Sequence, residues 1–294
     1  MEMIVCIKQV PNTTEVQMDI KTKTLMREGV ASIVNPFDLI ALEEALRIKK
    51  EMGGNITVLS MGPPQAISAL QECRARGADR AILITDKVLA GSDTLATSFT
   101  LSSVITTLKT PFDIIFCGLQ AIDGDTGQVG PGIAEFLNLP VLPNAIKVIP
   151  DMNRKSVMVH RKTEEGIEVL RVAMPVLVIA DRYLAKPAFL TNEQMERMSE
   201  NPIEIISFKN LGGEEADYGL QGSATEVIWI GTPKPIGHMV IDPNLHYQER
   251  IRLTLSGGLE AKSKKYILKN EPPEKAVKDL IQKLLEDEIL SEQK

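Results

Sequence analysis

Short apolar runs alternate with longer amphipathic stretches through the first 137 residues, and this alternation narrows the fold more than any other feature. Ile4–Val10, Ile56–Met61, Arg80–Thr85 and Asp113–Cys117 are short and rich in β-branched residues, which predicts buried strands. Helical patterns separate them. Asn35-Pro36-Phe37-Asp38 opens the first, with Asn35 placed to cap it, Pro36 at the first helical position and Asp38 adding negative charge to the first turn. Leu39, Leu42 and Leu46, with Ala45, Ile48 and Met52, form its apolar stripe, and Gly53-Gly54 stops it. Further helices are predicted over Pro64–Arg76, Asp93–Leu108 and Asp125–Leu137. The expected fold class is α/β, a parallel sheet with helices on both faces and right-handed crossovers. A small hairpin is expected at Val16–Ile20 and Thr24–Arg27.

Beyond Leu139 the pattern changes. Val141–Ile149, Ser156–Lys162 and Ile167–Val172 read as an antiparallel extension, joined by turns at Asp151-Met152-Asn153 and Glu164-Glu165-Gly166. Ala173–Ala180 reads as one more buried strand. Asp181–Asn201 is irregular with a short helical stretch, and Gln221–Leu255 is rich in Gly and Pro with weak periodicity, as expected of a segment lying on another chain. Glu274–Leu290 reads as an amphipathic helix carrying Val277, Leu280, Ile281, Leu284 and Leu285 on one side, packed either on its own domain or on a partner.

Composition excludes several classes. Net charge is −6 and no long basic run occurs, which argues against a nucleic-acid partner. Cys6, Cys73 and Cys117 lie far apart in apolar surroundings and read as buried reduced thiols. His160, His238 and His246 share no ligand spacing, so no metal site is expected. No apolar run approaches the roughly 18–20 residues of a bilayer span, and the N-terminus begins directly as a strand. A cytoplasmic, non-spanning protein is therefore expected. GxGxxG, GxxxxGK[ST] and GxSxG are all absent, and no paired carboxylates suggest acid–base work, so no catalytic side chain is predicted.

In open α/β sheets ligands bind outside the carboxyl ends of the strands. Cys6–Gln9, Ser60–Pro63, Ala90–Thr97 and Gly118–Gly132 fall there. The last is the richest. Gly124 and Gly127 permit close backbone approach, the following helix start offers N–H groups to a phosphate, and Thr126 and Gln128 add donors. Asp123 and Asp125 suit helix capping or ribose hydroxyls. An ordinary capped helix after a glycine-rich turn is the alternative. Ser92-Asp93-Thr94-Leu95-Ala96-Thr97-Ser98 opens a second helix with several hydroxyls, or simply caps it.

Taken in order, Val5-Cys6-Ile7-Lys8-Gln9-Val10, Asn35-Pro36-Phe37-Asp38, Ala41–Arg47, Ser60–Pro63, Gly77-Ala78-Asp79-Arg80 and Gln120–Pro131 resemble the β subunit of electron-transfer flavoproteins. The resemblance runs from Met3 to about Asn210 and more loosely to the end. It implies an adenine-nucleotide-binding fold paired with a larger, FAD-carrying α subunit. Matched by position, the implied cofactor contacts are Cys6, Lys8, Asn35, Pro36, Phe37, Asp38, Met61, Gln120, Asp123, Gly124, Asp125, Thr126, Gly127, Gln128, Val129, Gly130, Pro131 and Ala134. Asp93, Thr94 and Thr97 resemble the electron-bifurcating, Fix-type branch, as does Asp38-Leu39, which implies FAD here instead of the structural AMP of ordinary members. That branch implies NADH as donor and ferredoxin or flavodoxin as low-potential acceptor. The high-potential electron would pass through the α-subunit FAD to an acyl-CoA dehydrogenase or a quinone oxidoreductase, and the latter would place the complex peripherally at a membrane.

The resemblance also implies a division into residues 1–182 as the nucleotide-binding domain with its hairpin extension, 183–210 as a partner-recognition loop, and 211–294 as an arm and helix on the α subunit. Within the loop, Asn192 stands where ordinary members carry an anchoring leucine, and Glu193, Glu196 and Glu200 replace a basic stretch. Leu190 or Met195 is the expected substitute anchor. A nucleotide-binding sensor of the universal-stress type is the competing reading, though the long region after Asp181 exceeds what such a sensor needs.

Overall fold

The computed structural model describes residues 1–12, 18–19, 24–25, 32–108, 110–196, 198 and 202–228, together with 275, 277, 278, 281 and 282. The chain divides into two compact units, Met1–Ile230 and Gly231–Lys294. In the second, the five described residues are helical, with Val277 and Ile281 exposed. The rest of the expected amphipathic helix, including Leu280, Leu284 and Leu285, and the expected arm beyond Ile228 lie outside the described residues.

The first unit is built on a nine-stranded sheet. Its parallel heart consists of β1 (Glu2–Cys6), β6 (Asn55–Met61), β7 (Arg80–Ile84), β8 (Ile114–Gly118) and β12 (Val176–Ala180), in the spatial order β12-β8-β1-β6-β7. The chain therefore starts in the middle, moves outward through β6 and β7, and returns to the other side of β1 for β8. The reversal falls between β1 and β8, where Cys6 stands in register with Cys117.

Side chains alternate across this sheet as the period of two requires. Met3 and Val5 point into a core shared with α1 (Pro36–Met52) and α2 (Ile67–Arg76), alongside Leu42, Ile48 and Leu70. Ile4 and Cys6 point into a second core with α3 (Thr94–Thr107) and α4 (Val129–Phe136), alongside Leu101, Ile105 and Ile133. Strands buried on both faces explain why these runs are continuously apolar. The predicted strand over Ile4–Val10 is shorter than expected. β1 ends at Cys6, and β2 (Gln9–Pro11) pairs antiparallel with β5 (Ser32–Val34). The cause is local, because the Lys8 N–H donates to the Asp38 carboxylate at 2.8 Å. In the expected small hairpin, β3 (Met18–Asp19) pairs with β4 (Thr24–Leu25), and its remaining residues lie outside the described ones.

The hairpin extension comprises β9 (Val141–Asp151), β10 (Ser156–Lys162) and β11 (Ile167–Ala173). β9 joins the heart in parallel with β12, and within the nine-stranded sheet the described antiparallel pairings are β9–β10 and β10–β11. At the other edge, β13 (Glu204–Ile206) pairs in parallel with β7, a strand absent from the sequence reading. Arg80 and Glu204 bridge this edge at 2.7 Å. The chain then folds back over α3. Tyr218 is 1% exposed, its ring 5.2 Å from Phe99 and from Phe208, and its hydroxyl donates to the Gly212 carbonyl.

α5 (Asn192–Glu196) lies in the irregular stretch after β12. Gln194 donates to the Ala75 carbonyl and Arg76 to the Ala188 carbonyl, so the stretch is held against the end of α2.

Candidate functional site

The carboxyl ends of β1 and β8 flank the reversal point of the sheet, where the topology opens a crevice. Three residues knit its two sides together. Lys8, just past β1, places Nζ 2.7 Å from Asp123 Oδ1 in the loop after β8. Asn35 is fully buried. Its amide nitrogen donates to the Gln120 carbonyl at 2.8 Å, and its oxygen accepts the Ile122 N–H at 3.2 Å. The sequence reading gave Asn35 to its own helix as a cap, but the side chain makes no cap bond there and reaches the neighbouring loop instead. Asp38, buried beneath, accepts the Lys8 N–H, and a Cβ added to Gly118 would fall 2.2 Å from its Oδ1. Only glycine permits that approach.

The loop itself differs from expectation. α4 begins at Val129, not at Asp125, because Asp125 (φ 51) and Gly127 (φ 63) sit in the left-handed region, which cannot continue a right-handed helix. Asp123 and Asp125 therefore do not cap α4. Asp125 Oδ1 accepts from Gln120 Nε2 at 2.9 Å. Asp123 is held by Lys8, yet its Oδ2 is buried without a protein partner among the described residues. Gly124, Asp125, Thr126 and Gln128 are exposed. Nothing lies within 4 Å of a Cβ built on Gly124. The N–H groups of Val129 and Gly130, in the first turn of α4, have no intrahelical partners.

The second predicted opening meets the first. Thr94 Oγ1, at the start of α3, donates to Gln128 Oε1 at 2.8 Å. Ser98 Oγ donates to the Thr94 carbonyl at 2.7 Å and to the Val129 carbonyl at 3.2 Å. A Cβ on Gly132 would fall 2.5 Å from Ser98 Oγ, so the two helices lie backbone-close. Asp93 is committed elsewhere. Oδ1 caps α3 through Ala96 N at 3.0 Å, and Oδ2 accepts from the Thr225 amide and hydroxyl at 3.0 Å. Burial raises its pKa, but hydrogen bonds from Ala96, Thr225 and Ala224 outweigh this and hold the carboxyl below its ordinary value.

Other sequence-derived candidates are spread more widely. Pro36 is exposed and Phe37 half-buried at the start of α1, and Met61 is half-buried at the end of β6. Thr97 is half-buried on α3, and Pro131 is exposed on α4. Cys6 and Ala134 are buried in the core shared with α3 and α4. Leu190 is half-buried and Met195 is 51% exposed, while Phe189, passed over in the sequence, is 99% exposed. Sequence reasoning also missed the Lys8–Asp123 tie and the Asp38–Gly118 contact, since neither follows from local spacing. Ser60, buried at the end of β6, has a hydroxyl without a protein partner among the described residues.

The electrostatics centre on Asp38. Burial pushes its carboxyl up to about 7, against hydrogen bonds from the Lys8 N–H, Asn35 and the Gly118 N–H and the charge of Lys8. Cys117 is pushed well above its ordinary value by its hydrogen bond with Cys6, by burial and by the charges of Cys6 and Asp38.

The electron transfer flavoprotein domain family matches residues 22–210 of the chain. The electron transfer flavoprotein subunit beta of Thermoanaerobacterium thermosaccharolyticum is 46% identical over 234 residues, covering 79% of this chain and 88% of that protein. The chain belongs to the electron transfer flavoprotein family. Within that family it is also similar to the FixA protein of Sinorhizobium fredii, at 49% identity over 80% of this chain and 84% of the relative. The caffeyl-CoA reductase-Etf complex subunit CarD of Acetobacterium woodii is 42% identical over 81% of this chain and 90% of its own length. Among the described residues, no helix is long and apolar enough to cross a membrane, and no cluster of His, Cys, Asp and Glu could hold a metal ion.

Proposed function

We propose that this chain is the β-type subunit of a heterodimeric electron transfer flavoprotein and holds an adenine nucleotide, FAD, in the crevice between β1 and β8. The observation that carries this reading is the meeting of two helix starts at that crevice, joined by Thr94 and Gln128, beside a buried Asp123 oxygen with no protein partner among the described residues. These groups fit the chemistry of a nucleotide. The amides of Val129 and Gly130 and the open backbone around Gly124 would receive phosphate oxygens, whose charge is favoured at a helix N-terminus. Asp123 Oδ2 would accept from a ribose hydroxyl, which removes the cost of a buried acceptor left unpaired. Lys8 and Gln128 would supply further donors. The cofactor, when bound, supplies the redox chemistry, and the chain supplies its position and surroundings.

FAD is preferred over AMP because the start of α3 extends the polar rim beyond what a mononucleotide needs. On this reading NADH is the donor, ferredoxin or flavodoxin the low-potential acceptor, and the α subunit the route to a dehydrogenase or quinone oxidoreductase. The test is to purify the chain with its α subunit and count nucleotides released on denaturation. Two FAD and no AMP per heterodimer is the expected result. One FAD and one AMP would overturn the bifurcating reading and leave this chain a nucleotide-stabilised scaffold.

A further inference from the structure

Asp38 is a buried acid in the first turn of α1. It touches both strand exits that bound the crevice. The Lys8 N–H, leaving β1, donates to Oδ2 at 2.8 Å. Gly118, the last residue of β8, lies directly against the same carboxylate, where an added Cβ would fall 2.2 Å from Oδ1. Lys8 is the residue whose ammonium holds Asp123, and Gly118 opens the loop that carries Gln120 through Gln128. We propose that Asp38 is a positioning residue for the nucleotide crevice, one carboxylate fixing the spacing of the two strand exits, so that nucleotide retention depends on its ionisation. This rests on the nucleotide-binding reading above.

The chemistry is simple. An ionised carboxylate is acceptor-only and suits the Lys8 N–H, whereas a protonated one can turn an O–H donor toward it and against Gly118. One of the two contacts then slackens, and either Lys8 or the start of the Gly118 loop loses its anchor. The groups whose charge or dipole reaches Asp38 are Lys8 from the β1 exit, the Asn35 amide before α1, Cys73 on α2 and, across the sheet, Cys117 on β8. Burial, with the charge of Glu72 as a smaller cause, raises the Cys73 thiol, and Cys117 is raised as well, so both stay neutral near pH 7. Asp123 beyond them is paired with Lys8. Burial brings the Asp38 titration to about 7, inside the range where ionisation responds to ordinary changes of pH.

The experiment uses the full chain with its partner subunit, freed of nucleotide, titrated with FAD and with AMP between pH 6 and pH 8. If ionised Asp38 favours the nucleotide about tenfold, FAD affinity falls about fivefold from pH 8 to pH 6. Asp38→Asn should bind FAD more weakly than wild type at pH 8 and show a flat profile. The AMP profile is read as the difference between wild type and Asp38→Asn, which cancels the phosphate's own ionisation. Gly118→Ala drives a Cβ into the same carboxylate and into the α1 backbone at Phe37 and Asp38, so it should weaken FAD binding at every pH as well as flatten the profile. A flat wild-type profile, or an Asp38→Asn profile parallel to wild type, overturns the proposal while leaving nucleotide binding intact. Absence of FAD and AMP binding at every pH overturns the nucleotide reading itself, and this proposal with it. If Asp38→Asn does not fold, the wild-type profile still decides.

Discussion

Gly132→Ala tests whether the two helix starts are held together as tightly as the structure shows. In an isolated helix this change would stabilise, since alanine is favoured over glycine by about 1 kcal/mol in a helix interior. Here the new Cβ would fall 2.5 Å from Ser98 Oγ and 2.8 Å from Ser98 Cβ. The Cβ belongs to the rigid frame of α3, and the hydroxyl cannot swing aside without giving up the one bond its proton shares between the Thr94 and Val129 carbonyls, worth about 1 kcal/mol. Overpacking of this kind costs about 1–3 kcal/mol, and the lost hydroxyl bond about offsets the gain from alanine, so the net destabilisation should be about 1–3 kcal/mol. Urea unfolding should show a lower midpoint at unchanged slope. FAD affinity should also fall, because α4 carries Gln128 and the first-turn amides. Ser98→Gly removes both opposing atoms, and combining it with Gly132→Ala should restore at least about 1 kcal/mol relative to additivity. A Gly132→Ala protein as stable as wild type, or strict additivity in the double variant, would refute the close approach.

Three further outcomes follow from the same contacts. Asp38 titrates near 7 when folded and near 3.8 when exposed, so its favourable contribution to stability is full below 3.8 and is lost as pH rises to 7. Asp38→Asn should therefore match wild type in urea midpoint near pH 4 and exceed it at pH 8, by no more than about 4 kcal/mol, even as it binds nucleotide less well. Asp93→Ala removes the α3 cap and the hold on Thr225, and should cost about 1–2 kcal/mol while speeding amide exchange over residues 219–228. Replacing Leu190 and Met195 together by Ala should weaken pull-down of the redox acceptor without loss of bound flavin, and unchanged capture would remove this loop as the docking element.

The parallel heart of the fold was legible because buried parallel strands leave an unmistakable apolar signature, and because Pro36, Gly53 and Gly77 mark helix ends through backbone chemistry that needs no tertiary context. What was not legible depended on distant partners. Asn35 read as a cap by position, yet its amide serves residues 85 and 87 places away. The start of α4 moved to Val129 because Asp125 adopts a positive φ, which a sequence permits in Asp without requiring. β13 was missed since a three-residue edge strand carries too little pattern to detect. The candidate segments lie at the carboxyl ends of the strands, where fold topology puts ligands. Which side chains turn inward was decided by packing, as Asn35 and Asp38 show.

The register of Cys6 with Cys117 gives the crevice floor a property that charged sites lack. All three thiols of the chain are buried, so a maleimide or similar reagent has no ready surface target. Labelling must wait for a local opening, and its rate under mild conditions measures how often the strand ends part. Cys6 and Cys117 lie at the carboxyl ends of their strands and Cys73 on the buried face of α2, which makes the first two reporters of the crevice and the third an internal reference. Bound nucleotide should lengthen the labelling half-life at Cys6 and Cys117 while leaving Cys73 unchanged. The protein thus carries its own stopwatch for cofactor exchange, with no probe to be engineered.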